Sequence, residues 1–113
     1  FIGDNRAIPK LNDLLNDDEP NIRWDSAIAL AKMGEKTSIP IIENLLDRQY
    51  LMTFPELDYK EIDKVIMTAI ETSTLIVDST FEPSLIKLAK NDQSLTVRDL
   101  AIKALKKSYD RTI

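Results

Sequence analysis

The side chains able to do chemistry in this chain are carboxylates, guanidiniums and a handful of aromatics, because its 113 residues include neither histidine nor cysteine. That removes the commonest general base, the commonest metal ligand and any thiol or disulfide chemistry. What remains is regular. Arg23 follows Asp17 by six residues, and Arg98 follows Asp92 by the same interval. A guanidinium can meet a carboxylate and backbone carbonyls together, so the spacing favours contacts that hold turns over a grip on an anion or acidic peptide. The other acids are dispersed, without EF-hand spacing. Asp17-Asp18-Glu19 suits the positive end of a following helix better than a divalent cation. No catalytic residue, metal site or cofactor is predicted.

Such pairs need turns between short helices, and the chain repeats a unit of that kind. Gly3-Asp4-Asn5-Arg6-Ala7-Ile8-Pro9 with Leu14-Leu15 recurs 31 residues later as Gly34-Glu35-Lys36-Thr37-Ser38-Ile39-Pro40 with Leu45-Leu46. Ile22-Arg23 and Ala29-Leu30 recur at an offset of 75 as Val97-Arg98 and Ala104-Leu105. An intermediate copy, Asp63 with Ala69-Ile70, lies 40 residues on, so the middle unit is nine residues longer than the first. The units run 8–34, 35–78 with an insertion at 49–58, and 79–113, and residues 1–7 read as the end of a preceding unit in a longer array.

Within the units the spacing predicts helices from Ile8 or Pro9, from Pro20 to Met33, from Ile39, from Tyr59 to Leu75, from Phe81, and from Leu95 to Tyr109. Ile8, Leu11, Leu14 and Leu15 stripe the first helix. Ile22, Ser26, Ala27, Ala29, Leu30 and Met33 are the expected inward face of the second. Asp58 with Glu61 has capping-box spacing, and Gly34 suits a left-handed helix end.

The pattern resembles the HEAT repeat, in the short bacterial and archaeal variety also seen in phycobilisome lyase-like subunits. The shared elements are a proline opening the first helix, Leu-Leu inside it, an acidic turn, Ile/Val-Arg opening the second helix, Ala-Leu within that, and Gly-Asp or Gly-Glu after it. The resemblance implies an all-α fold, an α–α superhelix built as a right-handed solenoid of about three helical hairpins with one irregular middle repeat. It implies a non-enzymatic scaffold that binds another protein along a concave surface made by the second helices. It also implies an Asp–Arg ladder through Asp17, Arg23, Asp92 and Arg98, broken in the middle unit where Asp63 stands in place of the arginine.

On that resemblance Trp24 and Ile28, four apart at polar positions of the second helix, are candidates for partner binding on the concave face. Lys64, Thr68, Asp99 and Lys103 are their equivalents in later units. The competing reading of Trp24 is packing against a preceding unit or over its own turn. The insertion concentrates Tyr50, Phe54 and Tyr59, as a loop folded over an end of the core that still offers Tyr50 and Phe54 to a partner. Two rival functions are a lyase-like subunit handling a tetrapyrrole and a HEAT-like nucleic-acid-binding module. The first lacks a cysteine or histidine to work with. The second lacks charge, because a net −4 leaves only Lys103, Lys106, Lys107 and Arg111 as a short basic strip.

The apolar fraction of 43% and charged fraction of 30% suit one globular domain. No apolar run is long enough to span a bilayer. With no signal peptide and no cysteine in view the cytoplasm is favoured, and the compartment otherwise stays open because the chain does not begin with Met. Self-association through exposed end units is a further expectation, because a solenoid without caps leaves an apolar face open.

Overall fold

Prolines and caps set where the helices begin and end. The computed structural model describes residues 5–113, so the expectation for Phe1-Ile2-Gly3-Asp4 lies outside the described residues. Among those described, a 3-10 turn at Asn5–Ala7 leads into α1 (Ile8–Leu14), followed by α2 (Pro20–Lys32). A second 3-10 turn, Lys36–Ser38, leads into α3 (Ile39–Leu45). A single helical turn, α4 (Arg48–Leu51), precedes α5 (Tyr59–Ser73), and α6 (Phe81–Asn91) and α7 (Leu95–Tyr109) complete the chain. No described residue lies in a strand. Pro9, Pro20 and Pro40 each occupy the first turn of a helix, where the missing N–H would have no partner within the helix.

The ends are closed by hydrogen bonds. At φ +77° Gly34 allows its own N–H to reach the Ala31 carbonyl at 2.9 Å and the Glu35 N–H to reach that of Leu30 at 2.9 Å. These are the two bonds of a Schellman end. Asp110 adopts the same left-handed conformation after α7 (φ 51°), with the Arg111 N–H returning to the Leu105 carbonyl; aspartate tolerates this conformation better than bulkier residues. At the start of α5 the capping box is complete: Glu61 N–H donates to Asp58 Oδ1 at 2.8 Å, and Asp58 N–H donates to Glu61 Oε1 at 3.2 Å.

Helix α1 packs on α2 and α6 on α7, while α3 meets α5 with α4 wedged beside both. The second helices also touch in sequence, α2 against α5 and α5 against α7. Buried alanines at 27, 31, 69, 101 and 104 leave room for that approach. The molecule measures 40 × 34 × 20 Å, and its thin dimension is about two helix diameters. Ile42, Leu45, Leu51, Ile66, Phe81, Leu85 and Leu105 are fully enclosed in one continuous core. In α1, by contrast, Ile8, Leu11 and Leu14 are only half-buried.

Helix α2 buries half of its expected face, Ser26, Ala27 and Leu30, and turns toward Trp24 and Ala31 for the rest. Trp24, Ser26, Ala27, Leu30 and Ala31 are buried, whereas Ile22 is 39% exposed and Ala29 and Met33 only half-buried. Apolar side chains occur around the whole circumference of α2, so periodicity did not choose a face. The indole is the largest apolar surface on that helix, and burying it outweighs burying one isoleucine. Ile102 of α7 is 38% exposed. Tyr109, from the end of α7, is half-buried and donates from its hydroxyl to the Asp78 carbonyl at 2.6 Å.

Burial is the main cause raising the pKa of the Tyr109 phenol above its ordinary value. As pH rises the unfolded chain therefore loses this proton first. The contribution is complete at neutral pH and is lost above about pH 10. Tyr109→Phe should cost about 0.5–1.5 kcal/mol at pH 7 in urea unfolding, and should lessen the loss of stability expected of the wild type at alkaline pH. Trp24→Ala should cost about 3–5 kcal/mol in the same assay, the range for emptying a buried aromatic site.

Candidate functional site

The inserted stretch differs from a plain loop because Asp47 starts a helix. Its Oδ1 accepts from the N–H groups of Gln49 and Tyr50, and one turn of helix forms. That turn aims two side chains inward. Leu51 enters the core at 0% exposure, and Arg48 lies beside it with its side chain 9% exposed. The chain then bends so that Phe54 meets the Trp24 ring edge-on, with centroids 5.1 Å apart, and Tyr50 meets Phe54 at 5.2 Å. The insertion is thus a lid over the indole.

Arg48 joins three elements. Its Nε donates to Asp92 Oδ1 at 2.9 Å and one terminal nitrogen to Asp92 Oδ2 at 2.9 Å, a bidentate pair. The same nitrogen donates to Asp63 Oδ1 of α5 at 2.6 Å. The Asp92 side chain is 3% exposed and that of Asp63 27%. Its hydrogen bonding to the Asp92 carboxylate is the main reason the guanidinium is held still more firmly protonated than usual, against the opposing effect of burial.

This arrangement corrects the expected ladder. Asp92 Oδ2 also accepts from the Ser94 N–H at 3.0 Å, so its oxygens are committed to Arg48 and its own turn. Arg98 is not paired with it, and the buried Nε of Arg98 has no hydrogen-bond partner. Arg23 does clasp its turn, but through the backbone: one terminal nitrogen donates to the carbonyls of Asp17 at 2.8 Å and Asp18 at 3.2 Å. The Asp17 carboxylate is occupied by the Glu19 N–H at 2.9 Å. In the middle unit, where Asp63 replaces the arginine, Arg48 brings the missing cation from a different element. Arg48 itself was not among the residues predicted from sequence. Its signal was an acid standing where the repeat has a base, which requires a cation from elsewhere.

The expected partner-binding residues separate into two groups. Trp24 is 5% exposed and lies under the lid, and Ile28 is half-buried against the core. They do not form an exposed pair, because α2 is rotated to bury the indole. Lys64, Thr68, Asp99 and Lys103 are exposed on α5 and α7, with Lys103 paired to Asp99 at 2.9 Å. In the insertion Tyr50 and Phe54 are half-buried and Tyr59 is exposed. The basic strip is largely neutralised: besides Lys103, Lys106 pairs with Asp110 at 2.8 Å and Arg111 with Glu82 at 2.6 Å. Among the described residues no acid cluster is arranged to hold a metal ion, and no helix is long and apolar enough to cross a membrane.

Residues 1–51 match the family model for HEAT repeats. The match covers a little under half of the chain, and the described residues form an all-helical architecture compatible with a solenoid of helical hairpins. HEAT repeats are generally protein-interaction scaffolds and typically non-enzymatic. No curated protein and no solved structure matches the chain.

Removing one member of a buried ion pair leaves the other charged and without compensation. Arg48→Met should therefore destabilise the fold by about 3–5 kcal/mol in urea unfolding, while Arg48→Met with Asp92→Leu and Asp63→Leu should recover most of the loss. A triple variant no more stable than the single one would show that Arg48 acts by packing and not by charge.

Proposed function

We propose that this chain is a non-enzymatic binding scaffold that receives a partner protein on the surface formed by its second helices. The observation that carries the reading is the side-by-side packing of α2, α5 and α7 in a chain whose first 51 residues match HEAT repeats. Packed in this order, the helices present Lys64, Thr68, Asp99 and Lys103 to solvent from one succession of elements. We read that surface as the concave side of the solenoid. A rigid curved surface loses little conformational entropy on docking, so modest polar contacts suffice for recognition. The chemistry favours a partner of mixed charge, because the α5 and α7 positions include both lysines and an aspartate.

The surface is testable without disturbing the core. The Lys64→Glu/Thr68→Arg/Lys103→Glu variant alters three exposed positions and should unfold within about 1 kcal/mol of the wild type. Affinity capture from the source lysate should retain a protein on the wild-type chain and lose it on this variant. Identical capture by both would reject the second-helix surface as the docking face.

A further inference from the structure

A second recessed surface lies at the edge where the insertion meets the turn between α6 and α7. One groove, ≈ 420 Å³, runs between the end of α3 and the end of α6, with Glu43, Asp47 and Lys87 in its lining. A second, ≈ 250 Å³, is walled by Met52, Phe54, Pro55 and Tyr59. Arg48 and Gln93 line both, so the two form one trough that changes character along its length. The apolar end has an unusual rim, with Met52 56% and Tyr59 64% exposed. Large apolar side chains displayed beside a recess are what a docking anchor needs.

The charge of the other end identifies the occupant. Arg48 is committed to Asp92 and Asp63 and offers no free charge to a ligand. Among the lining side chains three carboxylates (Glu43, Asp47 and Asp92) face two cations (Arg48 and Lys87), and with Arg48 paired to Asp92, Glu43 and Asp47 outnumber Lys87. We propose that the trough binds an extended segment of a partner protein. An apolar side chain of that segment enters between Met52 and Tyr59, and a lysine or arginine a few residues along lies over Glu43 and Asp47. The inference rests on the scaffold reading but places a second contact outside the second-helix surface.

Trp24, the sole tryptophan, reports on occupancy, because its ring touches Phe54 and Phe54 lines the apolar end. The experiment titrates the full chain with three capped peptides, Gly-Leu-Pro-Lys-Lys-Gly, Gly-Leu-Pro-Glu-Glu-Gly and Gly-Gly-Pro-Lys-Lys-Gly, and follows Trp24 emission. The first should shift the emission with saturation, and loss of its leucine should weaken binding about tenfold. Met52→Ser should weaken it to a similar degree and Glu43→Lys by about threefold, with circular dichroism unchanged. Equal binding of the acidic and basic peptides would overturn the proposal, as would the absence of any saturable change. Binding that survives Met52→Ser but is lost in the Lys64→Glu/Thr68→Arg/Lys103→Glu variant would also overturn it, while leaving the second-helix scaffold in place.

Discussion

The burial of Asp92 is the constraint on which much of this structure turns. A carboxylate 3% exposed needs a cation and hydrogen-bond donors, or its desolvation would weigh against folding. Arg48 supplies the cation, and reaching Asp92 requires the helical turn that Asp47 caps. The same turn sends Leu51 into the core, and the chain beyond it lays Phe54 on Trp24. One ion pair thus ties the insertion to the third hairpin, and its second arm, to Asp63, ties both to α5. Solvent cannot easily replace these contacts, which distinguishes them from the exposed pairs on α7.

The middle unit shows how a repeat can lose a signature residue without losing the interaction. Arg23 holds its turn locally by donating to two backbone carbonyls. The middle unit has an acid at that position and obtains its cation from a residue 15 positions earlier. The contact becomes non-local, bridging elements instead of closing one turn. Because Asp92 is drawn into it, the third unit loses its own internal pair and Arg98 is left with a buried, unpartnered Nε.

A scaffold of this build separates stability from recognition. The enclosed side chains belong to the faces where neighbouring helices meet, while α5 and α7 leave polar residues outward. The insertion does both. Its inner residues cover the indole, and its outer ones, Met52 and Tyr59, remain in solvent beside a recess. An added turn costs little chain entropy when its interior side is well packed, which is why a repeat can carry one without losing its core.

Most of the architecture was legible in the residues. The 31-residue repeat, the prolines, Gly34 and the Asp58–Glu61 box marked helix boundaries, and each depends on local backbone geometry that a few neighbours decide. The stripe of α1 also followed from spacing, although it is only half-buried. The orientation of α2 did not, because apolar residues surround it and only the arrival of Phe54 from 30 residues away made the Trp24 side the inner one. Nor did the partner of Asp92, which the resemblance to HEAT repeats assigned to Arg98 and the fold assigned to Arg48, 44 residues distant. Local propensity determined the helices and their order. Tertiary packing decided which face of α2 is buried and which charges meet, because both depend on contacts between segments far apart in the chain.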